Sequence, residues 1–261
     1  MNIVVCIKQV PDTTEVKTDP KTGTLIRDGV PSIINPEDKN ALEAALVLKE
    51  QYGAKVIVLT MGPPQADDAL KEALAMGADE AILISDRAFA GADTLATSTA
   101  LGNAIRKIGN FSVIFCGRQA IDGDTAQVGP QLAEYLNIPQ VTYVKDIQLF
   151  EGKVQVKRAL EDGFEVIEAQ LPVLLTVIKD LNEPRYPSIK GIVDAYRSKQ
   201  TTVWSAADLG ANLQEVGLKG SPTQVRRIFT PAPKGKGEML QGQPQEMICD
   251  LISRLKNKKV V

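Results

Sequence analysis

The chain reads as an α/β protein: a parallel, doubly wound, Rossmann-like sheet with antiparallel strands added and a helical arm at the C-terminal end. Three observations predict this. Apolar runs of strand length at residues 2–7, 55–60, 81–84 and 111–116 alternate with helical patterns. Runs that are apolar throughout belong to strands buried on both faces, and their alternation with helices belongs to a parallel sheet covered on both sides. Between residues 143 and 169 the pattern changes to alternation around Glu151-Gly152, as in antiparallel strands joined by a tight turn. After Thr230 the run Pro231-Ala-Pro-Lys-Gly-Lys-Gly237 reads as a linker to an amphipathic helix.

Each element carries its own signals. Residues 2–7 form a buried strand, and Lys8-Gln-Val-Pro-Asp12 ends it in a turn. Residues 15–17 and 24–26 flank Asp19-Pro-Lys-Thr-Gly23 as a hairpin excursion. Asn35 reads as an N-cap, Pro36 as the first helical residue, and Glu37 and Asp38 as acids facing the positive end of the dipole. Leu42, Ala45 and Leu46 make that helix's inner stripe, and Gly53 ends it. The strand at 55–60 stops at Met61-Gly-Pro-Pro64, and a helix from about residue 65 to Met76 is capped by Gly77. After the strand at 81–84, residues 85–91 loop to a helix opening at Asp93-Thr94 and running to Ile108. Another helix starts near Gln127 and continues through Leu132, Ala133 and Leu136. Residues 172–177 are one more buried strand, and beyond Ile178 turn formers and charge predominate. The terminal helix spans about residues 244–256, with Met247, Ile248, Leu251, Ile252 and Leu255 on one side. That stripe is buried either against a partner chain or back on its own domain.

Composition removes several classes. Lys and Arg (30) do not outnumber Asp and Glu (32), which argues against a nucleic-acid surface. No apolar run reaches the roughly 18 residues of a membrane span. The first strand begins without a signal-peptide pattern, so a cytoplasmic protein is expected. Cys6, Cys116 and Cys249 stand singly in apolar settings and read as buried thiols, not as disulfides or metal ligands. The absence of histidine removes Ser-His-Asp hydrolysis, imidazole acid–base work and the common zinc sites. The Gly-x-Gly-x-x-Gly fingerprint and the Gly-Lys-Ser/Thr of a P-loop are absent. Asp67-Asp68 and Glu161-Asp162 read as helix-start or turn acids, and Arg254, Lys256, Lys258 and Lys259 as a solvated helix end. No catalytic residue and no metal site are expected.

The ligand is expected where the strand at 111–116 ends. Glycines at 117, 123 and 129, with Thr125 and Ala126 between them, join a buried strand to a helix start. Glycine lets backbone amides approach an anionic group, and a helix N-terminus adds partial positive charge. The same segment also suits an ordinary strand-to-helix loop. In open α/β sheets ligands lie at the carboxyl ends of the strands, here the loops at 9–12, 61–65, 85–93 and 117–127. Asp122 and Asp124 must turn their carboxylates away from a phosphate, toward ribose hydroxyls for instance.

Beyond these local signals, Val156-Lys-Arg-Ala-Leu-Glu-Asp-Gly-Phe-Glu-Val-Ile-Glu-Ala-Gln-Leu-Pro-Val-Leu-Leu-Thr176 closely resembles the signature of the electron transfer flavoprotein beta subunit. Val5-Cys-Ile-Lys-Gln-Val-Pro-Asp12, Asn35-Pro36, Ala73-Leu-Ala-Met-Gly-Ala-Asp79, Gly117-Arg-Gln-Ala-Ile-Asp122 and Leu181-Asn-Glu-Pro-Arg-Tyr186 resemble family blocks, in family order. The resemblance implies an adenine nucleotide alpha hydrolase-like sheet in residues 1–228. It implies also a heterodimer with an alpha subunit that carries a mobile FAD domain, on which the linker and helix of residues 229–261 pack. The family's nucleotide contacts carry over onto Cys6, onto Asn35, Pro36, Glu37 and Asp38, and onto Met61. They also carry over onto the strand and loop through Cys116, Gly117, Arg118, Gln119, Asp122, Gly123, Asp124, Thr125, Ala126, Gln127 and Val128.

Which nucleotide is held divides the family: AMP in ordinary carriers, FAD in electron-bifurcating members. Asp122-Gly-Asp-Thr-Ala-Gln-Val-Gly129 resembles the bifurcating members, and Gly123 and Thr125 leave room and donors for a pyrophosphate. Gly91-Ala-Asp-Thr-Leu-Ala-Thr97 resembles the same subgroup, so Asp93, Thr94 and Thr97 join the expected cofactor contacts. The implied reaction starts with a hydride from NADH to FAD. One electron then goes to ferredoxin or flavodoxin and the other, through the alpha-subunit flavin, to an acyl-CoA dehydrogenase-type partner. Residues 185–200 correspond to the family's partner-recognition loop, with Arg185, Tyr186 and Ile189 as partner contacts; a local core contact is the other reading of Ile189. An ordinary AMP-holding carrier and a nucleotide-binding module without redox work are the alternative functions.

Overall fold

In the computed structural model, which describes residues 1–12, 31–225, 235 and 237–260, the apolar runs become neighbouring strands of one sheet. The strands are β1 (Asn2–Cys6), β2 (Gln9–Pro11), β3 (Ser32–Ile34), β4 (Lys55–Met61), β5 (Glu80–Ile84), β6 (Val113–Gly117), β7 (Gln140–Phe150), β8 (Lys153–Leu160), β9 (Gly163–Gln170), β10 (Val173–Val177) and β11 (Thr201–Trp204). The helices are α1 (Pro36–Tyr52), α2 (Asp67–Met76), α3 (Thr94–Ile108), α4 (Val128–Leu136), α5 (Ile189–Arg197) and α6 (Pro244–Asn257). The main sheet has the order β11-β5-β4-β1-β6-β10-β7-β8-β9. Pairing is parallel from β11 across to β7 and antiparallel from β7 to β9.

Strand alternation sorts the core into two layers. Ile3, Val5, Val58, Phe115 and Leu175 point to the face that packs on Leu42 and Leu46 of α1 and Leu70 and Leu74 of α2. Val4, Cys6, Leu59, Cys116 and Leu174 point to the opposite face, under Ala100 and Ile105 of α3 and Leu132 of α4. β1 is therefore covered on both sides, as its unbroken apolar sequence requires. The helix ends follow local chemistry. Gly53 closes α1 in the left-handed conformation, its N–H donating to Lys49 O. Asp93 caps α3 by accepting from the Leu95 and Ala96 amides, each at 3.0 Å.

Four expectations are corrected. Asn35 precedes α1, but its side chain does not cap it. Residues 9–11 and 32–34 pair as a separate two-stranded sheet, β2 with β3, where only a turn was expected at 8–12. The charged stretch after Ile178 contains α5, and β11 adds a parallel strand beside β5. Cys249 on α6 is exposed, whereas Cys6 and Cys116 are buried. The hairpin expected at residues 15–26 and most of the linker at 231–237 lie outside the described residues.

The chain divides into two units, Met1–Arg226 and Arg227–Val261. The second contains α6, whose Arg254 pairs with Asp250 one turn earlier (2.9 Å) and with Glu238 (2.6 Å). No helix among the described residues is long and apolar enough to cross a membrane.

Candidate functional site

The sheet reverses direction at β1. The chain moves outward from β1 to β4 and β5, then returns to place β6 on the other side. The crevice beyond the carboxyl ends of two such strands is the usual ligand position in a doubly wound sheet. Here it lies above Cys6 and Cys116, which are in register with each other. Cys116 is also in register with Thr176 of β10, so Cys6, Cys116 and Thr176 form a row across three strands. Met61 ends the neighbouring β4 and packs against the same side of the core. The hydrogen bond to Cys6, followed by burial, holds the Cys116 thiol well above its ordinary pKa, so it is protonated.

The N-terminal turn of α1 secures one rim. Asp38 is buried, and its two oxygens accept the Lys8 N–H (2.8 Å) and the Gly117 N–H (3.0 Å). One carboxylate thus joins the end of β1 to the end of β6. A Cβ at Gly117 would overlap Asp38 Oδ1, which is why this position is a glycine. Burial pushes the Asp38 carboxyl up to about 7 against the lowering effect of Asn35 and of the two amides. Glu37 accepts the Gln119 N–H at 3.1 Å and pairs with Arg118 at 3.1 Å. Asn35 donates to Gln119 O (2.9 Å) and accepts from the Ile121 amide (3.1 Å), so its side chain serves the loop after β6 rather than its own helix. Pro36 opens α1 without an N–H to satisfy.

That loop has the backbone of an anion-binding concavity. The amides of Gly123 and Asp124 both donate to Ala120 O, closing a turn. Asp124 (φ 53°) and Ala126 (φ 52°) are left-handed without being glycine, and Gln127 after them is right-handed. Such alternation makes a nest of backbone amides. α4 then opens at Val128 with no side-chain cap, leaving its positive end available. The two carboxylates of the loop have protein partners: Asp122 accepts from Lys8 Nζ (2.6 Å) and Asp124 from Gln119 Nε2 (2.5 Å). Thr125 is exposed, and a Cβ at Gly123 would meet no atom of the described residues within 4 Å.

Across the crevice, Thr94 Oγ1 donates to Gln127 Oε1 at 2.9 Å, joining the first turns of α3 and α4. Thr97 lies one turn further along α3 and is partly buried. Asp93, expected as a cofactor contact, spends its carboxylate on the α3 cap and on the Thr223 amide (2.9 Å). Burial raises its pKa, but the Ala96, Thr223 and Leu95 amides together hold it below the ordinary value. Two further side chains stand at the site without a local sequence signal for it: Lys8 lies between β1 and β2, and Thr176 in a buried strand. Strand parity marks Thr176 once its neighbour across the sheet is known.

The segment after β10 is fixed to α1. Arg185 donates from Nε and Nη2 to Glu43 at 2.8 Å each and also pairs with Glu50. Asn40 and Asn182 exchange hydrogen bonds of 2.7 and 3.0 Å. Arg185, expected as a partner contact, is therefore occupied within the chain. Tyr186 and Ile189 are 94% and 84% exposed, so Ile189 is not a core residue. Among the described residues no group of three or more carboxylates or thiols is arranged to hold a metal ion.

A β1–β6 switch point with an amide-lined loop and an uncapped helix defines a doubly wound α/β protein of the Rossmann-like class. Residues 22–209 match the model of the electron transfer flavoprotein domain, and the chain belongs to that family, as a beta subunit of an electron transfer flavoprotein. It is 59% identical over 261 residues to the electron transfer flavoprotein subunit beta of Thermoanaerobacterium thermosaccharolyticum, covering 100% of both chains. Its identity to the caffeyl-CoA reductase-Etf complex subunit CarD of Acetobacterium woodii is 58%, again over 100% of both. The acryloyl-CoA reductase electron transfer subunit gamma of Anaerotignum propionicum is 51% identical, with 100% of both covered. The family is one of flavoproteins, and a beta subunit of it works with an alpha subunit.

Proposed function

We infer that this beta subunit holds FAD above Cys6 and Cys116 and serves an electron-bifurcating flavoprotein. The observation that carries the reading is the loop of residues 120–127. It combines an amide nest at Ala126 and Gln127, an uncapped α4, two carboxylates tied aside, and open space at Gly123. These features fit a pyrophosphate, which needs more room and more donors than one phosphate. The names of the relatives in caffeyl-CoA and acryloyl-CoA reductase systems support an acyl-CoA dehydrogenase-type partner.

Bound FAD supplies hydride acceptance from NADH and release of single electrons, one to ferredoxin or flavodoxin and one by way of the alpha-subunit FAD to the partner. The residues of this chain bind and orient. The row of Cys6, Cys116 and Thr176 forms a floor, and the amides of residues 125–129, beyond the turn closed on Ala120 O, face the anionic group. Lys8 neutralises Asp122 beside it. No side chain has to donate or accept a proton. Tyr186 and Ile189 are presented for docking. The exposed Ile248, Leu251 and Ile252 of α6, in the arm of residues 229–261, give the alpha subunit an apolar stripe. Free thiols at Cys6 and Cys116 accord with a cytoplasmic protein.

The test is to co-express the chain with its alpha subunit, denature the purified complex and identify the released nucleotides by chromatography and mass. Two FAD per heterodimer support the reading. One FAD and one AMP make the protein an ordinary carrier.

A further inference from the structure

Tyr143 stands beside the candidate site and has no part in the reading above. It lies on β7 where the pairing with β10 shifts, between Val141 opposite Leu175 and Val144 opposite Val177. Its φ is 57°, a left-handed conformation that a bulky residue adopts only when its surroundings over-determine it. Thr176 is one such determinant, its Oγ1 accepting the Tyr143 N–H at 3.3 Å. The other side of Thr176 receives α4 so closely that a Cβ at Gly129 would overlap its methyl group. Tyr143 therefore stands at the end of the Cys6–Cys116–Thr176 row, across Thr176 from the uncapped first turn of α4.

Tyr143 is 37% exposed, with the Arg118 guanidinium 5.6 Å from its ring centroid. Arg118 pairs with Glu37 through Nη2, yet its Nε is buried and meets no hydrogen-bond partner among the described residues. A buried donor without an acceptor is costly to the folded state. A strained aromatic ring at the lip of the crevice and an unmet donor next to it are both completed by a ligand with a flat face and an acceptor edge. We propose that Tyr143 is a further nucleotide-contacting residue, its ring forming a side wall that stacks on a planar ring of the bound nucleotide while Arg118 Nε donates to the same ligand. This rests on the reading that a nucleotide occupies the site.

The experiment compares wild type, Tyr143→Gly and Tyr143→Phe in the co-expressed heterodimer. After dilution, the nucleotide released beyond one FAD per heterodimer is timed by chromatography of the filtrate, and the thermal midpoint is recorded alongside. Glycine takes positive φ without strain, which offsets part of what the lost ring packing and the freer unfolded chain cost, so Tyr143→Gly is expected to assemble. It is expected to release the nucleotide about tenfold faster, the size of a lost stacking contact. Tyr143→Phe keeps the ring and stays within about twofold of wild type. Equal release from wild type and Tyr143→Gly overturns the proposal and leaves the functional reading standing. A wild-type complex with no second nucleotide overturns both. Should the glycine variant fail to assemble, Tyr143→Asn, which tolerates the left-handed region without a ring, gives the same readout.

Discussion

Asp38 Oδ1 accepts the Gly117 N–H at 3.0 Å while Oδ2 accepts the Lys8 N–H, so one buried carboxylate spans the split between β1 and β6. Its pKa of about 7 lies above the ordinary 3.8. The folded chain therefore keeps a proton that the unfolded chain has lost between about pH 4 and pH 7. The contribution of this group to stability falls as pH rises through that window and is level above it. The slope is at most about 1.4 kcal/mol per pH unit. Denaturant midpoints of wild type and Asp38→Asn at pH 5 and pH 8 should show a fall in wild type that the variant lacks. A wild-type rise relative to the variant would reverse the assignment.

Gly117 faces that carboxylate without room for a methyl group. Gly117→Ala should cost about 1–3 kcal/mol, as overpacking does. It should also loosen nucleotide binding, because Asp38 must give up an amide. Unfolding titrations read the first effect and nucleotide content the second.

Gly123 is the contrasting case, since a Cβ there meets no atom of the described residues within 4 Å. Gly123→Leu should leave the stability of the protein alone within about 0.5 kcal/mol, as exposed substitutions do. It should cost most of the nucleotide in the purified heterodimer. Full retention would sink the assignment of this loop.

Arg185 grips Glu43 with two nitrogens, and Glu43 is almost wholly buried. Arg185→Ala leaves that carboxylate without its cation, at a cost of about 2 kcal/mol once the exposure of the arginine is discounted. Arg185→Lys should recover little, because an ammonium cannot make the paired contact. Chemical denaturation of the three proteins orders them.

Ile189 opens α5 with its side chain in solvent. Ile189→Ala should leave stability and flavin content unchanged and lower turnover coupled to the dehydrogenase partner. Unchanged coupled turnover would remove Ile189 from the docking surface.

Much of this arrangement was legible from local signals. The strands that carry Cys6, Met61 and Cys116 are unbroken apolar runs, and Gly53, Gly77 and Asp93 mark helix ends through chemistry confined to neighbouring residues. β11 was not legible, because four residues gain strand character only by pairing with Ala81 to Ile84, more than a hundred positions earlier. α5 was hidden by its charge and by the prolines before it, and forms where it packs on α2.

The sequence by itself determined the class of sheet, most of its elements in their order, and the family. Periodicity, caps and motif residues act over a few positions and are written in the chain. Tertiary structure decided what individual side chains do. Asn35 has the chemistry of a helix cap, yet it holds the Gln119 and Ile121 backbone instead. Arg185 lies in a turn-rich stretch yet serves Glu43 of α1, and Lys8 and Thr176 come beside Asp122 and Cys116 only because β6 returns beside β1 and β10 pairs with β6. Hydrogen bonds of this kind are short-ranged in space and indifferent to sequence separation, so folding alone selects the partner that each polar group finds.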